Sequence, residues 1–100
     1  MSNVSRGHGR ERELVKRLKA EGRWAMRAPA SLGTVDVISS PPLTFYEVKA
    51  TAAGPYAGFL PRDRAALLED AAIAGAQAVL VWWPPDRGGP RFIDSADWPT

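Results

Sequence analysis

One hundred residues with 45% hydrophobic and 24% charged side chains suffice for one domain with one core, and exclude both a two-domain chain and a disordered one. The lack of cysteine excludes disulfides and thiolate metal sites, leaving any metal to oxygen donors or to the lone His8. The formal charge of +2 is unevenly placed: residues 1–50 hold nine Lys/Arg against five Asp/Glu and residues 51–100 four against six, which suits a polyanion held on one side, or merely a basic helix kept soluble.

No apolar run has the length of a membrane span, and the polar, basic N-terminus has no apolar stretch behind it, so a cytoplasmic protein without membrane contact is expected. Residues 1–9 read as a flexible basic arm on the single domain 1–100. In it Arg6 and His8, with Arg10 just beyond, either touch phosphates or fray in solvent. From Arg10 to Glu21 the pattern is helical, with Leu14, Val15 and Leu18 on one face and Arg12, Glu13, Lys16, Arg17 and Lys19 pointing away. Glu11 falls in the middle of the apolar stripe. A buried carboxylate is costly without a partner, so Glu11 either complements the helix dipole in the first turn or is a third acidic group for a site elsewhere in the fold.

Gly22 ends this helix, and residues 24–27 predict a first strand. Pro29, Ser31 and Gly33 make 28–34 a loop of small residues, in which Arg27 and Ser31 are available to a phosphate, though an ordinary inter-strand loop has the same composition. Residues 35–38 and 45–49 predict a hairpin about a Pro/Ser-rich turn. Its second strand places Phe45, Glu47 and Lys49 on one face, and the antiparallel return brings Asp36 across from them. The connection 51–59 is packed down by Tyr56 and Phe59, or offers Tyr56 to a substrate. Pro61 starts a second helix, Leu67, Leu68, Ala71, Ala72 and Ile73 are its apolar face, and Gly75 stops it. Arg62 and Arg64 at its start bind phosphates or are solvated. The run 79–83 predicts a strand covered on both faces, with Trp82 and Trp83 as core rather than a base-stacking platform. Residues 91–94 are a last strand, and Trp98 lies in the tail. The order α-β-β-β-α-β-β is that of an α/β fold, a mixed five-stranded sheet flanked by two helices.

Asp36, Glu47 and Lys49 together have a chemical reading. Two carboxylates are enough to hold a hard cation such as Mg²⁺, with Mn²⁺ able to substitute, against a substrate phosphate. A lysine beside them orients or deprotonates the attacking water, or neutralises charge developing on the phosphate. On an exposed strand face the same Glu-x-Lys is only a solvated ion pair.

Asp followed by Glu-x-Lys on a hairpin resembles the active-site motif of the PD-(D/E)xK nuclease superfamily, with Val35 where the motif often has proline. The sequence Glu11-Arg12-Glu13-Leu14 after a glycine, Arg27 and Ser31 ahead of Val35-Asp36, Tyr46-Glu47-Val48-Lys49, and the late Phe92-Ile93 make the closer resemblance that to the archaeal-type Holliday junction resolvases. It covers most of the chain. The resemblance implies a restriction-endonuclease-like core in which Glu11, Asp36 and Glu47 organise a Mg²⁺ site, Lys49 assists the water, and Arg12 and Ser31 support phosphate binding. The expected DNA contacts are then Arg6, Arg10, Arg12, Arg27, Ser31, Arg62 and Arg64. The expected activity is metal-dependent phosphodiester hydrolysis that resolves four-way DNA junctions by paired nicks. The expected assembly is a homodimer, with Tyr56, Phe59, the Ala-rich face of the second helix, Trp82, Trp83 and Trp98 as interface candidates. Two rivals share part of this pattern: a nuclease of the same core acting on a flap or nicked duplex, and a junction-binding module that does not cut.

Overall fold

The computed structural model describes residues 3–30, 33–86 and 88–99, with residues 3–8 as backbone alone. Helix α1 (Asn3–Ala20) starts well before Arg10, so most of the stretch expected as a flexible arm is helical. Once a turn exists each further residue adds a hydrogen bond, and no proline interrupts the run through Gly7 and Gly9. The side chains of Arg6 and His8, and the whole of Ser31, lie outside the described residues. The helix ends as expected: Gly22 takes a φ of 86°, and the Gly22 and Arg23 N–H groups donate to the Lys19 and Leu18 carbonyls.

There follow β1 (Trp24–Arg27), β2 (Val37–Ser40), β3 (Thr44–Lys49), α2 (Pro61–Ala74), β4 (Gln77–Trp82), β5 (Arg91–Asp94) and a 3-10 turn (Ser95–Asp97). The strands form one sheet in chain order, β1-β2-β3-β4-β5. Only β3 and β4 pair in parallel, because the α2 crossover separates them, whereas the others are antiparallel neighbours. The expected mixed five-stranded α/β fold is the observed one.

Period-two alternation divides the core between the two faces. On one, Val37, Tyr46, Val48 and Val81 pack against Leu14 and Leu18 of α1. On the other, Leu80, Ala78, Ile38 and Phe45 pack with Leu67 and Ala71 of α2 and with Phe59 and Trp98. The Ser39 hydroxyl and the Tyr46 phenol satisfy each other at 2.8 Å on the α1 side. In α2 the phase differs from expectation. Leu67 and Ala71 are buried, but Leu68 and Ile73 are 42% and 78% exposed and Ala72 is exposed. At 100° per residue, 67 and 71 share a face that 68, 72 and 73 cannot join. Arg64 takes the vacant position on the buried face.

The expected interface aromatics are mostly core. Phe59, Trp83 and Trp98 are buried, with Phe59 and Trp98 edge to face at 5.1 Å. Trp82 is half-buried and its indole N–H donates to the Thr51 carbonyl, while Tyr56 lies under the Arg64 guanidinium. Trp83 packs on the α1 side, while the long connection 51–59 meets Trp82 through the Thr51 carbonyl and Trp98 through Phe59.

Candidate active site

The site begins with a departure from regular pairing. Strand β2 starts at Val37, one step after Asp36, because the N–H of Val48 is taken by the Asp36 carboxylate at 2.8 Å and not by a backbone carbonyl of β2. The Asp36 N–H itself donates to the Tyr46 carbonyl and its carbonyl accepts from Ala28. The backbone of Asp36 is therefore held from both sides and its side chain is fixed against β3.

Across from it, Glu47 and Lys49 leave β3 on the α2 side, their side chains 16% and 24% exposed, with Nζ 3.3 Å from Oε2. They line a cleft of about 260 Å³ with Thr34, Gly33, Phe59 and Asp63. Burial first, and the adjacent Asp36 second, push the Glu47 carboxyl from its usual range up to about 8, against the opposing pull of Lys49. At neutral pH Glu47 therefore tends to keep its proton. The Asp36 and Glu47 pair has the chemistry of a cation site: two hard oxygen donors, close together, of which Glu47 gives up its proton more readily when positive charge arrives. The donor set fits a divalent cation.

Not every expected site residue joins this group. Glu11 is inward-facing as the helix phase required, but α1 lies on the sheet face opposite Glu47 and Lys49. Its carboxylate accepts a hydrogen bond from Arg27 at 3.1 Å. Among the described residues no three acidic or histidine side chains form a metal-holding group. Arg10 is tied to Glu13 at 3.0 Å and lies over the Trp83 ring. Arg64, expected at a phosphate, is buried: its Nη1 donates to the Phe59 carbonyl and its guanidinium covers Tyr56. Arg12 and Arg62 are exposed. The sequence reading missed two polar residues of the cleft, Asp63 and Thr34. Asp63 stands at the third position of α2 and accepts the Leu60 N–H at 3.0 Å, a capping role that an Asp two residues after Pro61 announces. Thr34 donates to Asp70 of α2 at 2.6 Å, joining the loop ahead of Asp36 to that helix. No sequence pattern links those two.

The profile of the family described as archaeal Holliday junction resolvase (Hjc) matches residues 2–97. The chain belongs to the archaeal Holliday junction resolvase family. No curated protein matches it with significance. Among solved structures, Archaeoglobus fulgidus Hjc, a Holliday junction resolvase from an archaeal hyperthermophile, is similar at a TM-score of 0.76 and 25% identity, over 91% of this chain and 74% of that one. As a member of the resolvase family the chain has a junction-resolving nuclease function. Among the described residues of this resolvase, no helix is long and apolar enough to cross a membrane.

Proposed function

We propose that this chain is an endonuclease that resolves four-way DNA junctions by hydrolysing phosphodiesters with a divalent cation, Mg²⁺ with Mn²⁺ able to substitute, and that it works as a homodimer making paired nicks. The observation that carries the chemistry is the cleft lined by the Glu47–Lys49 pair, with the Asp36 carboxylate held beside Glu47 by the Val48 N–H. Asp36 and Glu47 are the residues that would hold the cation, and bound there it would polarise the scissile phosphate and make water a better nucleophile. The chain's own groups prepare for this. The Val48 N–H pins one Asp36 oxygen so that it cannot swing away. Glu47 retains a proton until a cation replaces it. Lys49, held beside Glu47 by its ion pair, orients the water or neutralises charge developing on the phosphate oxygens. Glu11 holds Arg27, and with Arg12 beside it on α1 these cations lie on the opposite side of the sheet as DNA contacts.

The homodimer rests on symmetry and on apolar surface. A four-way junction presents two equivalent strands, and a two-fold assembly presents two copies of one site. Among the described residues, the large apolar side chains left exposed are Leu68 and Ile73 on α2, Leu60 before it, Trp24 and Met26 on β1, and Phe92 on β5. The outer side of α2, next to the cleft, is our interface.

The decisive experiment incubates the protein with a labelled four-way junction and a matched linear duplex, in Mg²⁺ or EDTA. Cation-dependent cleavage of the junction alone is expected. Equal cleavage of the duplex would reassign the substrate, and binding without cleavage in Mg²⁺ would make the chain a non-cutting module.

A further inference from the structure

The cations of α1 fall into two adjacent rows that the fold treats differently. Arg10 and Arg17 both pair with Glu13, at 3.0 and 3.8 Å. Arg12, Lys16 and Lys19, spaced by four and three residues, share the neighbouring face, are exposed, and enter no ion pair among the described residues. Uncompensated like charges at this spacing repel one another and destabilise an isolated helix, so the row is not there for the helix's own stability. It borders a groove of about 420 Å³ between α1 and β1, with Val15 and Met26 in its lining and Arg27 at the end nearest Glu11.

From Arg12 to Lys19 the helix advances about 10 Å at roughly 1.5 Å per residue. One strand of a duplex presents about two phosphates in that length, since its winding backbone path per nucleotide is longer than the rise of roughly 3.4 Å of axis. We propose that Arg12, Lys16 and Lys19 form a phosphate-tracking row that holds one strand of a duplex arm along α1, on the sheet face opposite the catalytic cleft. This rests on the junction-resolving reading of the previous section. It adds a second contact surface and names Lys16 and Lys19, which belong to no catalytic motif.

The test is junction affinity in EDTA across a range of salt concentrations. Each phosphate contact contributes about 0.9 to the slope of log affinity against log salt, so Lys16→Gln with Lys19→Gln should lower that slope by about 1.8. Gln is a good helix former and both positions are exposed, so α1 is preserved. Arg17→Gln removes a charge of the same sign from the same helix but from the paired row, and should leave the slope as it is. An unchanged slope in the double variant, or an equal drop in Arg17→Gln, would overturn the tracking row while leaving the nuclease reading intact. A wild-type protein that does not bind the junction at all would overturn the nuclease reading and, with it, the row.

Discussion

Glu47 is the residue whose environment says most about its task. Its folded carboxyl titrates at about 8, above the ordinary 4.5, so between those values the folded protein holds a proton that the unfolded chain has lost. Stability of the cation-free protein is therefore greatest below about pH 4.5 as far as this group is concerned, and declines as pH rises toward 8, by on the order of a few kcal/mol. Thermal melts from pH 5 to 8 in EDTA should show that decline, and Glu47→Gln should flatten it. Asp36→Asn and Glu47→Gln should each lower cleavage by a hundredfold or more, since outer-shell partners of a metal alone are worth about 10 to 100-fold. Junction binding should persist in both, because basic contacts to phosphate supply it. Wild-type cleavage in either variant would rule out the cation site. At this scale the sequence was legible where strand alternation decides: Glu47 and Lys49 share the face that period two assigns them. For Glu11 the inward phase was legible, but its partner Arg27 on β1 was not, because that contact joins residues far apart in sequence. Glu11→Gln should loosen Arg27 and reduce cleavage, with stability changed by less than about 1 kcal/mol because the pair is partly exposed.

Among the elements, the loop ahead of Asp36 and helix α2 form the cleft as a pair. The short, charge-assisted bond from Thr34 to Asp70 fixes how far apart they stand. Asp70→Ala should cost about 1.5 to 3 kcal/mol in denaturant unfolding and lower cleavage, whereas Asp70→Asn, which still offers an acceptor to Thr34, should recover most of both. Equal loss in the two variants would mean that charge, not the bond, matters at this position. Element boundaries were readable wherever glycine or proline acts locally, as at Gly22, Pro61 and Gly75. The buried side of α2 was not, since counting apolar residues favoured Leu68 and Ile73, whereas the crossover helix turns Arg64, Leu67 and Ala71 to the sheet. An arginine on a buried face is readable only once its acceptor, the Phe59 carbonyl, is in place.

For the whole molecule, the proposed homodimer makes a prediction separate from the chemistry. Leu68→Glu with Ile73→Glu should give a monomer by light scattering at micromolar protein, with its fold intact because both side chains are already exposed. On a plasmid that extrudes a cruciform the wild type should give linear product directly, and the variant mainly nicked circles. Nicked circles from the wild type would argue against paired cutting. The sheet's composition and the order of its elements were legible throughout, because alternation and turn residues act over short distances. Which face each helix covers depends on contacts far apart in sequence.

The one parallel pairing, β3 with β4, has a bearing on how the molecule assembles itself. The hairpin of β2 and β3, which brings Asp36 to Val48, closes over a few residues, whereas β3 meets β4 only after the chain has passed through the whole of 50–76. Loop closure of that length must precede any reward from the pairing, so the hairpin is the natural nucleus and the crossover the late step. The carboxylate pair would then exist before there is a cleft to hold it, and the last event of folding, docking of α2 and β4, would be the one that removes Glu47 from water and raises its affinity for a proton. Refolding followed by a pH indicator in weakly buffered solution near pH 6.5 should show proton uptake in the slow phase, not the fast one.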